Sequence, residues 1–297
     1  MEQYEVLLYY KYVHIDDPEK LMQEQRLLCQ RLDLKGRILI AAEGLNGTVE
    51  GTKENTTKYC EELTKDPRFS DIQFKKSVGT GSAFPKLSVK VREEIVTGYL
   101  GQDDIDPTKI TGQYLQPEEL HEWIKTGKEF YIVDMRNDYE QKSGYFEGSI
   151  LSGFENFRDL PAILPKLKHL KNKTIVTVCT GGVRCEKASG FLVKNGFLSV
   201  YQLYGGIVSY MEKYPNQDFK GKLYVFDNRV VMGFNIDSPE HQIVGSCRLC
   251  GQPSDHYVNC ANNSCHDHFI CCENCYYNDG KSYCGKACFN SPLDNVI

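Results

Sequence analysis

The chain has 297 residues, 41% of them hydrophobic and 25% charged, the proportions of an ordinary globular protein long enough for two or three domains. Lys and Arg number 35 against 40 Asp and Glu, a net charge of −5, and no stretch is basic overall, so bulk charge gives no support to a nucleic-acid partner. The N-terminus, Met1-Glu2-Gln3-Tyr4-Glu5, has no basic or apolar leader, and no window supplies the ~20 apolar residues of a membrane span. A cytoplasmic protein with no membrane partner is therefore expected.

Glu5 to Val13 is rich in Val, Leu and Tyr, as strands are. Asp16-Asp17-Pro18-Glu19 predicts a helix start, and Leu21, Leu27, Leu28 and Leu32 give that helix an apolar face. Arg37 to Ala42 reads as a strand, Glu43-Gly44-Leu45-Asn46-Gly47 as a turn in which Asn46-Gly47 is the hairpin signal, and Thr48 to Glu50 as the start of the partner strand. Lys53 to Thr64 reads as a second helix, with further strands at Ile72 to Lys76 and Leu87 to Val91. The order β-α-β-β-α-β predicts a ferredoxin-like α+β domain over residues 1–93. Residues 94–112 lack periodicity and carry Gly98, Gly101, Asp106-Pro107 and Gly112, so they read as a linker.

Over residues 113–214 strands alternate with helices. Gln116-Pro117-Glu118 opens a helix, and Phe130 to Asp134, Thr174 to Cys179 and Val200 to Leu203 read as strands. Cys185 to Lys194 is helical, and the run Lys166, Lys168, Lys171, Lys173 reads as a solvated helix end and turn. This pattern predicts an α/β domain with a parallel sheet and its working face at the strand C-termini. From residue 215 to 297 the chain changes character, with a short hairpin around Asp227-Asn228 and then a Cys-rich module.

Nine of the 13 cysteines lie between Cys247 and Cys288. In a reducing compartment such density argues for metal ligands or reactive thiols over disulfides. The pairs Cys247/Cys250, Cys260/Cys265, Cys272/Cys275 and Cys284/Cys288 have the short spacing of zinc ligands, and two pairs complete a tetrahedron. A crossed arrangement is expected, Cys247/Cys250 with Cys272/Cys275 and Cys260/Cys265 with Cys284/Cys288, holding structural zinc. An iron–sulfur cluster is the competing reading, although no Cys-x2-Cys-x2-Cys run is present.

The segment that carries chemistry is Thr174-Ile-Val-Thr-Val-Cys179-Thr180-Gly181-Gly182-Val183-Arg184-Cys185. A strand delivers Cys179, two glycines let the backbone curl so that its N–H groups point inward, and a helix N-terminus and Arg184 add positive charge. Each favours thiolate over thiol, and thiolate is the nucleophile. A buried core cysteine would need neither the glycines nor the arginine. Cys185 is either a second thiol able to resolve a sulfur adduct or a small packing residue.

The spacing Cys-x4-Arg is one residue shorter than the phosphate cradle of cysteine phosphatases and resembles the rhodanese active-site loop, which holds a persulfide sulfur on its cysteine. Asp134-Met-Arg136-Asn-Asp-Tyr-Glu140 resembles the rhodanese Asp-x-Arg-x-x-x-Glu element, whose role is structural support. Gly144-Tyr145-Phe146-Glu147-Gly148 resembles a Gly-His-Ile-x-Gly motif with Tyr145 in place of histidine, and Tyr204-Gly205-Gly206-Ile207 resembles the turn after the last strand. Together with Tyr9-Tyr-Lys-Tyr-Val13 and Gly36-Arg-Ile-Leu-Ile-Ala-Ala-Glu-Gly-Leu-Asn-Gly-Thr48, the loop is similar to the tRNA uridine hydroxylase family over nearly the whole chain. That resemblance implies a rhodanese-like domain over 113–214, tRNA as partner, molecular oxygen as co-substrate, 5-hydroxylation of the wobble uridine, and Cys179 as the reactive, persulfide-forming residue. The residues themselves define only a cradle for a sulfur anion. A plain rhodanese-type sulfurtransferase fits that cradle equally, whereas a non-catalytic scaffold would have little use for its cysteine.

Overall fold

The computed structural model describes residues 3–275 and 282–290; the end of the expected C-terminal module, 291–297, lies outside the described residues. The N-terminal part is a five-stranded sheet built from β1 (Tyr4–Tyr12), β2 (Lys35–Ala41), β3 (Gly44–Thr52), β4 (Lys75–Val78) and β5 (Leu87–Val91), in the order β4-β1-β3-β2-β5. Helices α1 (Pro18–Arg31) and α2 (Lys53–Leu63) belong to the same unit. The first four strands have the ferredoxin-like order, and β5 adds an edge parallel to β2. Asp17 caps α1, its carboxylate accepting from the Lys20 N–H at 2.9 Å, with Pro18 in the first turn.

Strand alternation sorts the side chains. Leu7, Tyr9, Ile38, Ile40, Leu45 and Val49 enter one core together with residues of both helices. Leu8, Tyr10, Arg37, Leu39, Asn46 and Thr48 alternate with them and take the opposite face. The expected turn over Glu43-Gly44-Leu45-Asn46-Gly47 is corrected: only Glu43 belongs to it. The hairpin turns at Ala42-Glu43, and Asn46 and Gly47 sit inside β3 opposite Leu39 and Ile38. Gly47 answers a packing need instead of a turn, since a Cβ there would lie 2.3 Å from the Tyr9 ring.

The expected linker is folded against its neighbours. Ile95 and Ile105 are buried, and the Ile95 N–H donates to Glu43 at 2.8 Å. Lys187, fully buried on the far domain, meets Glu43, Glu94 and Asp104 at 2.9, 3.2 and 3.1 Å, which locks this segment between the two sheets.

The middle part is a second five-stranded sheet, of β6 (Gln113–Leu115), β7 (Tyr131–Asp134), β9 (Ile150–Leu151), β10 (Thr174–Val178) and β11 (Ser199–Leu203), ordered β6-β11-β10-β7-β9 and parallel throughout. Helices α3 (Pro117–Lys125), α4 (Asp138–Gln141), α5 (Leu164–Leu167), α6 (Val183–Lys194) and α7 (Gly206–Lys213) connect it. The strands are apolar on both faces, and one core lies on each side of the sheet. β8 (Gly144–Phe146) pairs with β12 (Phe219–Gly221), which ties the C-terminal part to this domain. There the hairpin β13 (Leu223–Tyr224) and β14 (Val231–Met232) reaches back to the first domain, Arg229 donating to Ser77 Oγ and the Val78 carbonyl at 2.9 Å. A last hairpin, β15 (Tyr257–Asn259) with β16 (His268–Ile270), and the short α8 (Lys286–Asn290), which contains Cys288, lie among the segments that carry the cysteines. No helix among the described residues is long and apolar enough to cross a membrane.

Candidate active site

Cys179 leaves the C-terminal end of β10, the central strand, and α6 begins four residues later. The loop between them is held from behind. The amides of Ile207 and Val208, at the start of α7, donate to the carbonyls of Cys179 and Thr180 at 2.9 and 3.1 Å. With those carbonyls engaged, the loop turns its own N–H groups inward. Gly182 adopts φ +104° and donates its N–H to Cys179 Sγ at 3.2 Å. A Cβ there would be strained and would fall 2.7 Å from the Tyr10 hydroxyl, so glycine serves both conformation and packing.

Arg184 does not stand free in this loop. Its guanidinium forks onto the Glu140 carboxylate at 2.5 and 2.8 Å, with both side chains buried. Thr180 Oγ accepts from Arg184 at 3.2 Å and donates to Glu140 at 3.4 Å. Behind this pair, Arg136 and Asp134 form a second, wholly buried ion pair at 2.5 Å. Arg136 also donates to the carbonyls of Glu140 and Gly144 at 3.2 and 2.7 Å, which fixes the turn that presents Glu140. Asp134, Arg136 and Glu140 thus brace Arg184, and Glu140 does so by direct contact.

Burial alone pushes the Cys179 thiol up. The Cys185 thiol donating to it, the Arg184 charge, and the Cys185 and Gly182 amides outweigh that penalty and bring it from 9.0 down to about 6. Cys185 moves the other way, raised by burial first and by the hydrogen bond to Cys179 and its negative charge next. At neutral pH the pair is a thiolate with a thiol donor at its side. Val183 starts α6 and offers its carbonyl to the Tyr12 hydroxyl at 3.3 Å; Gly181 lies under Leu8.

Cys179 lines a cavity of about 460 Å³, within the range of small-ligand sites. Its walls come from three separated parts of the chain. The open face of the first sheet gives Tyr10, Arg37 and Asn46, the middle domain gives Phe157 and Arg158, and the hairpin of β13 and β14 gives Phe226. The loop residues were legible in the sequence; Tyr10, Arg37 and Asn46 were quoted only within family motifs or a turn, and Phe157, Arg158 and Phe226 were not singled out. Lys75 was missed as well. It sits on β4 opposite Leu8, buried, its ammonium 4.5 Å over the Tyr10 ring, and burial lowers it to about 8.

The tail sulfurs form two groups, Cys247 with Cys250, Cys272 and Cys275, and Cys260 with Cys265, Cys284 and Cys288, all within 4.8 Å inside each group. Sulfur pairs at 3.5 Å (Cys250 and Cys272; Cys265 and Cys284) are far too long for disulfides. Four thiolates around a tetrahedral ion stand about 3.8 Å apart, so the donor sets fit a metal ion. Cys271, buried beside Ser282, belongs to neither group.

The parallel sheet, with its cysteine loop opening on the strand C-termini, defines a rhodanese-type domain, here joined to an acylphosphatase-like one. Family models agree: a UPF0176 acylphosphatase like domain matches residues 4–95, a rhodanese-like domain 116–213 and a rhodanase C-terminal region 220–289. A protein of Cytophaga hutchinsonii named tRNA uridine(34) hydroxylase is 46% identical over 93% of this chain and 86% of its own. Its namesakes in Bacillus licheniformis and Bacillus thuringiensis are 48% and 44% identical over 91% and 99% of this chain and 84% and 92% of theirs. The chain belongs to the tRNA uridine(34) hydroxylase family.

Proposed function

We propose that this protein is an oxidoreductase that places a hydroxyl on C5 of the wobble uridine of tRNA, using molecular oxygen and working through Cys179. The observation that carries the proposal is the cavity lined by Cys179, a cysteine whose pKa is lowered, in a chain that matches proteins named for that reaction over nearly its full length. One atom of O2 enters the base and the other becomes water, which takes two electrons and two protons. Cys179 supplies them, as thiol or as persulfide, on joining a second thiol in a disulfide or trisulfide; Cys185 is near enough to be that thiol. Arg184 and the loop amides hold the sulfur anion, and Glu140 keeps Arg184 in place. In this reading the two cysteine groups of the tail hold structural zinc, which stiffens the module carrying Phe226 to the cavity.

The test is nucleoside mass spectrometry of tRNA from a strain lacking the protein and any second route to the nucleoside. We expect 5-hydroxyuridine derivatives to disappear and to return with the wild-type protein but not with Cys179→Ser. Undiminished derivatives in the deletion strain would overturn the proposal.

A further inference from the structure

The chain carries more acid than base, yet the cavity over Cys179 is lined by three arginines and by no carboxylate. Arg184 is neutralised by Glu140. The side chains of Arg37 and Arg158 have neither an ion pair nor a hydrogen bond among the described residues, and both residues are exposed. Most of the conspicuous basic run of the sequence is engaged instead: Lys166 donates to the Ser152 carbonyl, Lys171 to the Asn195 carbonyl and Lys173 to Glu129, while Lys168, outside the cavity, is exposed without such a partner among the described residues.

Their placement is as informative as their charge. Arg37 belongs to a cross-strand row on the open face of the first sheet, Leu8 opposite Thr48 and Thr48 opposite Arg37. The adjacent row runs Tyr10, Asn46, Leu39, Lys90, and Lys90 is also exposed and without an ion pair. Arg158 lines the same cavity from the other domain. It follows Phe157 in a turn whose acid, Asp159, is engaged by the Asn156 N–H at 3.0 Å. Unpaired guanidiniums from two domains, in a cavity also lined by tyrosine, phenylalanine and leucine, suit a nucleotide whose base goes inward while its phosphates stay at the rim.

We infer that Arg37 and Arg158 form a two-sided clamp on the tRNA backbone, gripping phosphates that flank the nucleotide whose base enters the Cys179 cavity. The inference rests on the proposed tRNA substrate and adds how a chain of net negative charge holds it. The clamp is local, which is why segment-wide charge counts give no sign of it.

The experiment is equilibrium binding of an unmodified tRNA transcript to the full-length protein across a salt series, for the wild type, Arg37→Gln, Arg158→Gln and the double variant. Loss of a charged contact weakens binding about tenfold. Each substitution should therefore raise Kd about tenfold and lower the slope of log Kd against log salt by about 0.7 to 1. Lys20→Gln, on α1 outside the cavity, should change neither. Alkylation of Cys179 should keep its wild-type pH profile in all of them, which shows the loop intact. A double variant that binds with wild-type affinity and slope, while the wild type binds and hydroxylates tRNA, overturns the clamp alone. A wild type that neither binds nor modifies tRNA overturns the functional reading and the clamp with it.

Discussion

Removing Arg184 should return Cys179 toward an ordinary thiol. Its pKa of about 6, down from 9.0, is a thousandfold preference for thiolate, about 4 kcal/mol, held against a burial penalty of opposite sign. Arg184 supplies the full positive charge in that balance, and a contact to a charged group is worth about 1.5 to 3 kcal/mol, or about one to two pH units. Arg184→Met alone would strand the buried Glu140 carboxylate, so the variant to make is Arg184→Met with Glu140→Gln. The assay is the pH dependence of iodoacetamide alkylation, read by mass spectrometry on the Cys179 peptide to exclude the other cysteines. In the wild type, reactivity should fall as pH drops through about 6 and be level above it. In the double variant the midpoint should rise to about 7 to 8, slowing alkylation at pH 7 several-fold. A double variant that still titrates near 6, or a wild type that titrates near 8.5 like a free cysteine, would refute the electrostatic account of the loop.

Glu140→Gln by itself leaves Arg184 buried without its counter-charge, and should cost about 3 to 5 kcal/mol in urea denaturation. The double variant should recover part of that loss, and equal melting of single and double variants would show that the pair is not coupled. For the tail, plasma emission on purified protein should find about two zinc ions per chain, one for each cysteine group, and about one after Cys272→Ser. Less than half an equivalent in the wild type would remove metal from the account.

What could be read from the sequence was what is contiguous in it. Cys179, the glycines and Arg184 lie within six residues, so the cradle was visible before any fold. The cysteine pairs of the tail were legible from their short spacings, but which pair joins which was not fixed by spacing, and the structure gives the crossed grouping. Glu140 was expected only as a brace; its fork onto Arg184 spans 44 residues and depends on how Arg136 turns the chain. Asn46-Gly47 misled because a turn signal and a packing requirement share one residue type, and only the Tyr9 ring distinguishes them. Arg37, Arg158 and Phe226 converge from three parts of the chain. Arg37 was read only as part of a family motif and nothing near Arg158 or Phe226 marks either, while the segment between the sheets, read as a linker, joins the two domains through Lys187.

The most direct test of the central claim uses purified protein, an unmodified tRNA transcript, a thiol reductant and isotopically heavy dioxygen. The account predicts that one heavy oxygen atom enters the wobble uridine with the wild type and none with Cys179→Ser. Heavy oxygen incorporated by Cys179→Ser at the wild-type rate, or a hydroxyl whose oxygen comes from water, would contradict it.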